Sequence, residues 1–167
     1  MLDLFIDQIP DAKRLVFVDI SEYSVEPQNP TLEITPPGYA KIAVPFAPRV
    51  ANVYTTQSLG ISNSIVTLPD GIYHVKYSIQ PNEKKYIERQ FLRTYTLMCE
   101  YERAYLGLTI MCPCSEAASS KLRTNLNNIS LLINGAVAYA NQGDAVSAMK
   151  LYDKAKCLLS DLPKCNC

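Results

Sequence analysis

Proline divides this chain in two. Nine of the eleven prolines lie within residues 1–81, and only Pro113 and Pro163 follow. A proline inside a helix removes a backbone donor and clashes with the preceding turn, at about 3 kcal/mol or more, so the first half is barred from long helices and the second is not. The apolar pattern changes period at the same place. In Ile72-Tyr73-His74-Val75-Lys76-Tyr77-Ser78-Ile79, alternate residues share a face: Tyr73, Val75, Tyr77 and Ile79 on one side, His74, Lys76 and Ser78 on the other. That is the signature of a strand with one wet side. Leu68-Pro69-Asp70-Gly71 before it is a tight-turn sequence. Further strands are expected at Leu15–Ile20, Thr31–Thr35, Tyr39–Val44 and Val50–Thr55. Short strands about ten residues apart, separated by Pro- and Gly-bearing turns, predict an antiparallel sandwich of immunoglobulin-like type over residues 1–81. This half has neither Cys nor Trp, so the Cys-Trp-Cys hallmark of antibody domains is missing.

Residues 82–167 read as a three-helix region containing a helical hairpin, giving an α+β chain of two domains. A first helix is expected from Lys84 to Ile110, with Phe91, Leu92, Tyr95, Met98, Cys99, Tyr105 and Leu106 on its apolar stripe. A second follows Ser115, with Leu122, Leu126, Ile129, Ile133, Ala136 and Ala140 at four-three spacing. The turn Asn141-Gln142-Gly143-Asp144 leads to a third, which turns Ala148, Leu151, Tyr152, Ala155, Leu158 and Leu159 inward. Such stripes are core positions, not a cofactor slot.

Two Cys-x-Cys pairs, Cys112-Pro113-Cys114 and Cys165-Asn166-Cys167, bracket the hairpin. An antiparallel hairpin returns the chain to the level at which it began, which would bring the four thiols to one end. Four soft ligands in a tetrahedron, each about 2.3 Å from the ion, suit a structural Zn²⁺. A metal bound only by the folded chain would add its binding energy to folding. Free thiols, or disulfides formed after release from the cell, are the alternatives. Cys99 and Cys157 fall within helices and read as small core residues.

Composition excludes several functions. With 16 basic and 16 acidic residues, 48% hydrophobic and 19% charged, the chain is a folded globular protein and not a nucleic-acid-binding polycation. The halves carry −3 and +3. The N-terminus MLDLFIDQIPDAKRL has acids where a signal peptide has bases, and no apolar run approaches the ~20 residues that span a bilayer. Folding in the cytoplasm of the host cell is therefore expected, where thiols stay reduced. The lone His74 lies on a polar strand face, and Gly60, Gly71 and Gly107 belong to no phosphate-binding fingerprint. Lys85, Arg89 and Arg93, four apart, would share one face of the first helix as a solvated basic stripe. No catalytic residues are expected.

Taken together, the Leu68-Pro69-Asp70-Gly71-Ile72-Tyr73 turn, the long helix, the two Cys-x-Cys pairs and the Gly-Asp hairpin with Ala-x₃-Tyr-x₂-Ala are similar to a small virion structural protein of crAss-like bacteriophages. That resemblance implies a non-enzymatic ring component of the neck or tail barrel below the portal, located in the virion after assembly in the bacterial cytoplasm. Its partners would be copies of itself in a ring, other neck and tail proteins and the portal, with no membrane and no specific nucleic acid. Eleven tyrosines against four phenylalanines suit such interfaces, and sandwich edges would offer docking rails. The second reading is a zinc-clasped adaptor that binds a peptide or a nucleic acid.

Overall fold

The computed structural model of the chain describes residues 4–7, 15–20, 28–45, 53–55, 68–80, 86–110 and 116–162. The chain divides into two compact units, Met1–Arg93 and Thr94–Cys167. Among the described residues the first unit contains seven strands: β1 (Leu4–Asp7), β2 (Val16–Asp19), β3 (Gln28–Thr35), β4 (Ile42–Pro45), β5 (Val53–Thr55), β6 (Gly71–Gln80) and β7 (Tyr86–Arg93). They form two antiparallel sheets, one ordered β1-β2-β5 and the other β4-β3-β6-β7.

The alternation in β6 does what its sequence dictates. Tyr73, Val75, Tyr77 and Ile79 are buried while His74 and Lys76 are exposed. In the register, Ile34 stands opposite Val75 and Leu32 opposite Tyr77 on one flank, and Phe91 stands opposite Tyr73 on the other. The pairing of β3 with β6 slips between Gln28 and Thr31. Pro30 lies in that interval and has no N–H to give the ladder. One cluster of buried side chains joins Leu4, Leu15 and Phe17 to Leu32, Ile34, Tyr73, Val75, Tyr77, Ile79 and Phe91. Phe91 stacks on Tyr73 at 5.0 Å between centroids and meets Phe17 edge-on at 6.4 Å. At about 1.5–3 kcal/mol for each fully buried large side chain, this cluster is the main stabilising element of the unit.

The expected first helix is corrected at its start. Residues 86–93 are not helical but form β7, paired along its length with β6, and the helix begins only at Tyr95. The compact division accordingly falls after Arg93 and not at residue 81. The apolar residues Ile87 and Phe91 are four apart, which imitates a helical stripe, yet with β6 alongside the alternation Ile87, Arg89, Phe91, Arg93 takes over. Phe91 and Leu92 are thus strand residues.

The second unit holds α1 (Tyr95–Ile110), α2 (Glu116–Asn141) and α3 (Ala145–Ser160). Leu122, Leu126, Ile129, Ile133, Ala136 and Ala140 are all buried, as the four-three spacing requires. Gly143 at φ 88° ends α2, a conformation glycine adopts at no steric cost. Asp144 then caps α3, its carboxylate accepting from the Ser147 N–H at 2.9 Å. Where α2 and α3 pack, a Cβ on Gly135 would stand 3.0 Å from Leu151 Cδ1, so Gly135 faces Leu151. On α3 the buried residues are Ala148, Tyr152 and Ala155, with Leu151 and Leu159 half-buried. Leu158 and Cys157 are exposed and not part of the core. The six expected positions span more of the helix circumference than a single partner helix covers. On α1, Leu97 is buried, while Tyr105 and Leu106 point outward.

Candidate functional site

The best-organised polar constellation in the first unit surrounds the turn before β6. Arg93, at the end of β7, is 1% exposed, and Asp70 only 6%. The Arg93 guanidinium donates to the Leu68 carbonyl at 3.1 Å and lies 3.5 Å from the Asp70 carboxylate. From β6 the Tyr73 hydroxyl donates to the Pro69 carbonyl at 2.7 Å. Burial pushes the Tyr73 phenol above its ordinary range, with Arg93 pulling part of the way back. Gly71 completes the turn at φ 132°, and a Cβ there would meet Pro37 at 3.0 Å. These contacts hold the turn. Arg93 is therefore a structural cation under the surface, not a member of a solvated helical stripe. Arg89 is exposed on β7, and Lys85 lies outside the described residues.

A second buried pair joins Tyr77 of β6 to Asp19 of β2, with the phenol donating to the carboxyl oxygen at 2.7 Å. His74 is exposed on β6. Tyr77 and Asp19, like Tyr73 and Arg93, are buried and hydrogen-bonded within the fold, the geometry of structural ties.

The expected metal ligands Cys112, Cys114, Cys165 and Cys167 lie outside the described residues. Among the described residues no three His, Cys, Asp or Glu side chains come together as a metal set, and no helix is long and apolar enough to cross a membrane. Cys99 is a half-buried free thiol. Cys157 is an exposed one, 3.7 Å from the Asp161 carboxylate.

Among the described residues, an open apolar surface lies on α1. Tyr101, Glu102, Tyr105 and Leu106 line an open depression of about 300 Å³. Tyr101 and Tyr105, one turn apart, stack at 6.4 Å and 25°. Tyr105 is 43% exposed and Leu106 54%. Reading this segment as one inward-facing stripe concealed the patch. The signal that reveals it is the adjacency of Tyr105 and Leu106, which stand about 80° and 180° round the helix from the buried Leu97. An aromatic and aliphatic surface with a single carboxylate can bind an apolar side chain or another helix. Comparison with family models, curated proteins and solved structures finds no match for this chain.

Proposed function

We propose that the chain is a structural subunit of a virion, a ring component of the neck or tail barrel below the portal of a crAss-like phage, and that it acts by assembly and not by catalysis. The observation that carries this reading is the surface of α1 at which the half-buried Tyr101 stacks on Tyr105 and both Tyr105 and Leu106 are exposed. Tyrosine combines apolar area with a hydrogen-bonding tip, which is what subunit interfaces select. Its partners in this reading are copies of itself, other neck and tail proteins and the portal. It reaches the virion after assembling in the host cytoplasm.

The first unit, in the same proposal, is an immunoglobulin-like sandwich. Sheet orders of β1-β2-β5 and β4-β3-β6-β7 correspond to A-B-E and C′-C-F-G in that architecture. The Tyr73 hydroxyl bound to a backbone carbonyl four residues upstream has the form of the tyrosine corner found at the start of strand F. A buried cluster shared by both sheets fits the same description.

Four-thiolate Zn²⁺ at Cys112, Cys114, Cys165 and Cys167 remains part of the proposal and is supported by reach. With Gly135 opposite Leu151, Leu162 falls level with Thr124, eight residues or about 12 Å short of the start of α2 at Glu116. Cys165 and Cys167 follow by three and five residues, an extended reach of up to about 10 and 16 Å. Cys167 can thus pass the level of Glu116, while Cys165 stops about 2 Å short of it, so a shared site needs the first Cys-x-Cys to turn back by that much. The same clasp would serve the second reading, a monomeric zinc-stabilised adaptor for a peptide or nucleic acid.

Native mass spectrometry of the purified chain, alone and with neck and portal proteins of the same phage, separates these readings. A closed oligomer supports the ring. A monomer under both conditions, carrying one Zn²⁺ and binding DNA with a steep salt dependence, replaces it with the adaptor. Zinc content by elemental analysis and thiol labelling after chelation test the clasp; unchanged labelling with no zinc removes it.

A further inference from the structure

Two surfaces of the helical unit differ in a way that makes them complementary. On α1, Tyr101, Glu102, Tyr105 and Leu106 share one side of the helix, an apolar patch with one carboxylate and no cation. On α3, the side opposite the buried Ala148, Tyr152 and Ala155 carries Val146, Lys150, Lys154 and Leu158, all exposed. That face offers two ammonium groups between two aliphatic side chains, with the single carboxylate of Asp153 at its margin and Val146 67% exposed. Over their whole lengths α1 has two acids and one base, while α3 has three bases and one acid.

The sheet edges are less available. Arg89 falls on the same pleat of the edge strand β7 as Ile87 and Phe91, and a charge at such a position discourages a further strand from pairing there. On the opposite edge, β4 ends with Pro45, which has no N–H to donate. The edges of this sheet are thus poorer rails than their exposure alone would imply.

We propose that the α1 patch is the docking site for the α3 outer face of a second copy of this chain, with Glu102 set against Lys150 and Lys154 and with Tyr105 and Leu106 against Val146 and Leu158. Two different surfaces meet in such a contact, so each copy keeps one of each free for the next. A head-to-tail contact of this kind closes into a ring when the rotation between copies permits. The inference rests on the assembly reading above and specifies which surfaces perform it.

Charge reversal and its repair provide the test. Glu102→Lys alone, and Lys150→Glu with Lys154→Glu alone, each weaken self-association of the full chain by about tenfold or more in analytical ultracentrifugation, while circular dichroism stays unchanged. Combining the three substitutions restores association to within a few-fold of the parent. Repair of this kind cannot come from misfolding. Oligomers that persist unchanged through both reversals, or that the combined variant fails to restore, overturn the docking pair but leave assembly standing. A parent chain that stays monomeric at high concentration, with or without the neck and portal proteins, overturns both.

Discussion

The hydroxyl of Tyr77 donates to the carboxyl of Asp19 across 2.7 Å, and this bond joins a strand of one sheet to a strand of the other. Both residues are buried. Tyr77→Phe keeps the ring and removes the bond, and is expected to cost about 1–3 kcal/mol in urea unfolding. In a double-mutant cycle with Asp19→Ala, which removes the acceptor, the double variant should lose less than the sum of the two single losses. Strict additivity would mean that the bond contributes nothing to stability.

The corner at Tyr73 predicts an alkaline limit. Its phenol is raised above the ordinary value by burial, so the folded state holds its proton more tightly than the unfolded state does. The stabilisation is complete below the unfolded pKa of about 10 and declines as pH rises beyond it. Tyr73→Phe should lose about 1 kcal/mol at neutral pH, through the Pro69 bond. It should also lose less stability than the parent between pH 9 and 11. Parallel pH profiles for the two proteins would refute the account.

Removing one member of the Arg93–Asp70 pair leaves the other charge inside. Asp70→Asn is expected to destabilise by about 3 kcal/mol, the low end for a buried pair because the contact is 3.5 Å long. Replacing both residues by apolar ones of similar size should cost less than that single change. Thermal unfolding of the two variants decides the order.

The start of α3 depends on pH in the opposite direction. Hydrogen bonds from Ser147, first through its side chain and then through its backbone, hold the Asp144 carboxyl below its ordinary value. Its contribution is present above the unfolded pKa of about 3.9 and is lost as pH falls through the lower folded value. Helical ellipticity on acidification should therefore fall less in Asp144→Asn, which keeps a capping oxygen without a titrating charge. In the adjoining turn, Gly143→Ala at φ 88° should cost about 1–2 kcal/mol.

The elements that were legible in the sequence are those in which pattern and environment agree. Alternation located β6, and four-three spacing located every buried position described in α2, since in each the patterned face is the one that is buried. β7 was not legible because its apolar pair Ile87 and Phe91 satisfies a helical spacing while two positions on the same pleat are arginines. Only pairing with β6, whose partners are set by distant residues, decides between the two. β1 escaped notice for a similar reason, being four residues long. The α1 patch was hidden inside an overextended stripe: Tyr105 and Leu106 are apolar, and nothing local says that they face outward. As for Arg93, its spacing from Arg89 suggested a solvated face, whereas its burial comes from the Leu68 carbonyl and Asp70, more than twenty residues away.

The tight turn at Gly143 and Asp144 also bears on the order of events in time. All the signals for the α2–α3 hairpin lie within one continuous stretch, whereas Thr31 must find Ser78, 47 residues distant. Contacts between near neighbours close in microseconds, and remote strand partners take milliseconds or longer. Helical signal should thus precede tyrosine burial when the denatured chain is diluted into buffer, so a newly made molecule presents a finished hairpin while its strands are still searching.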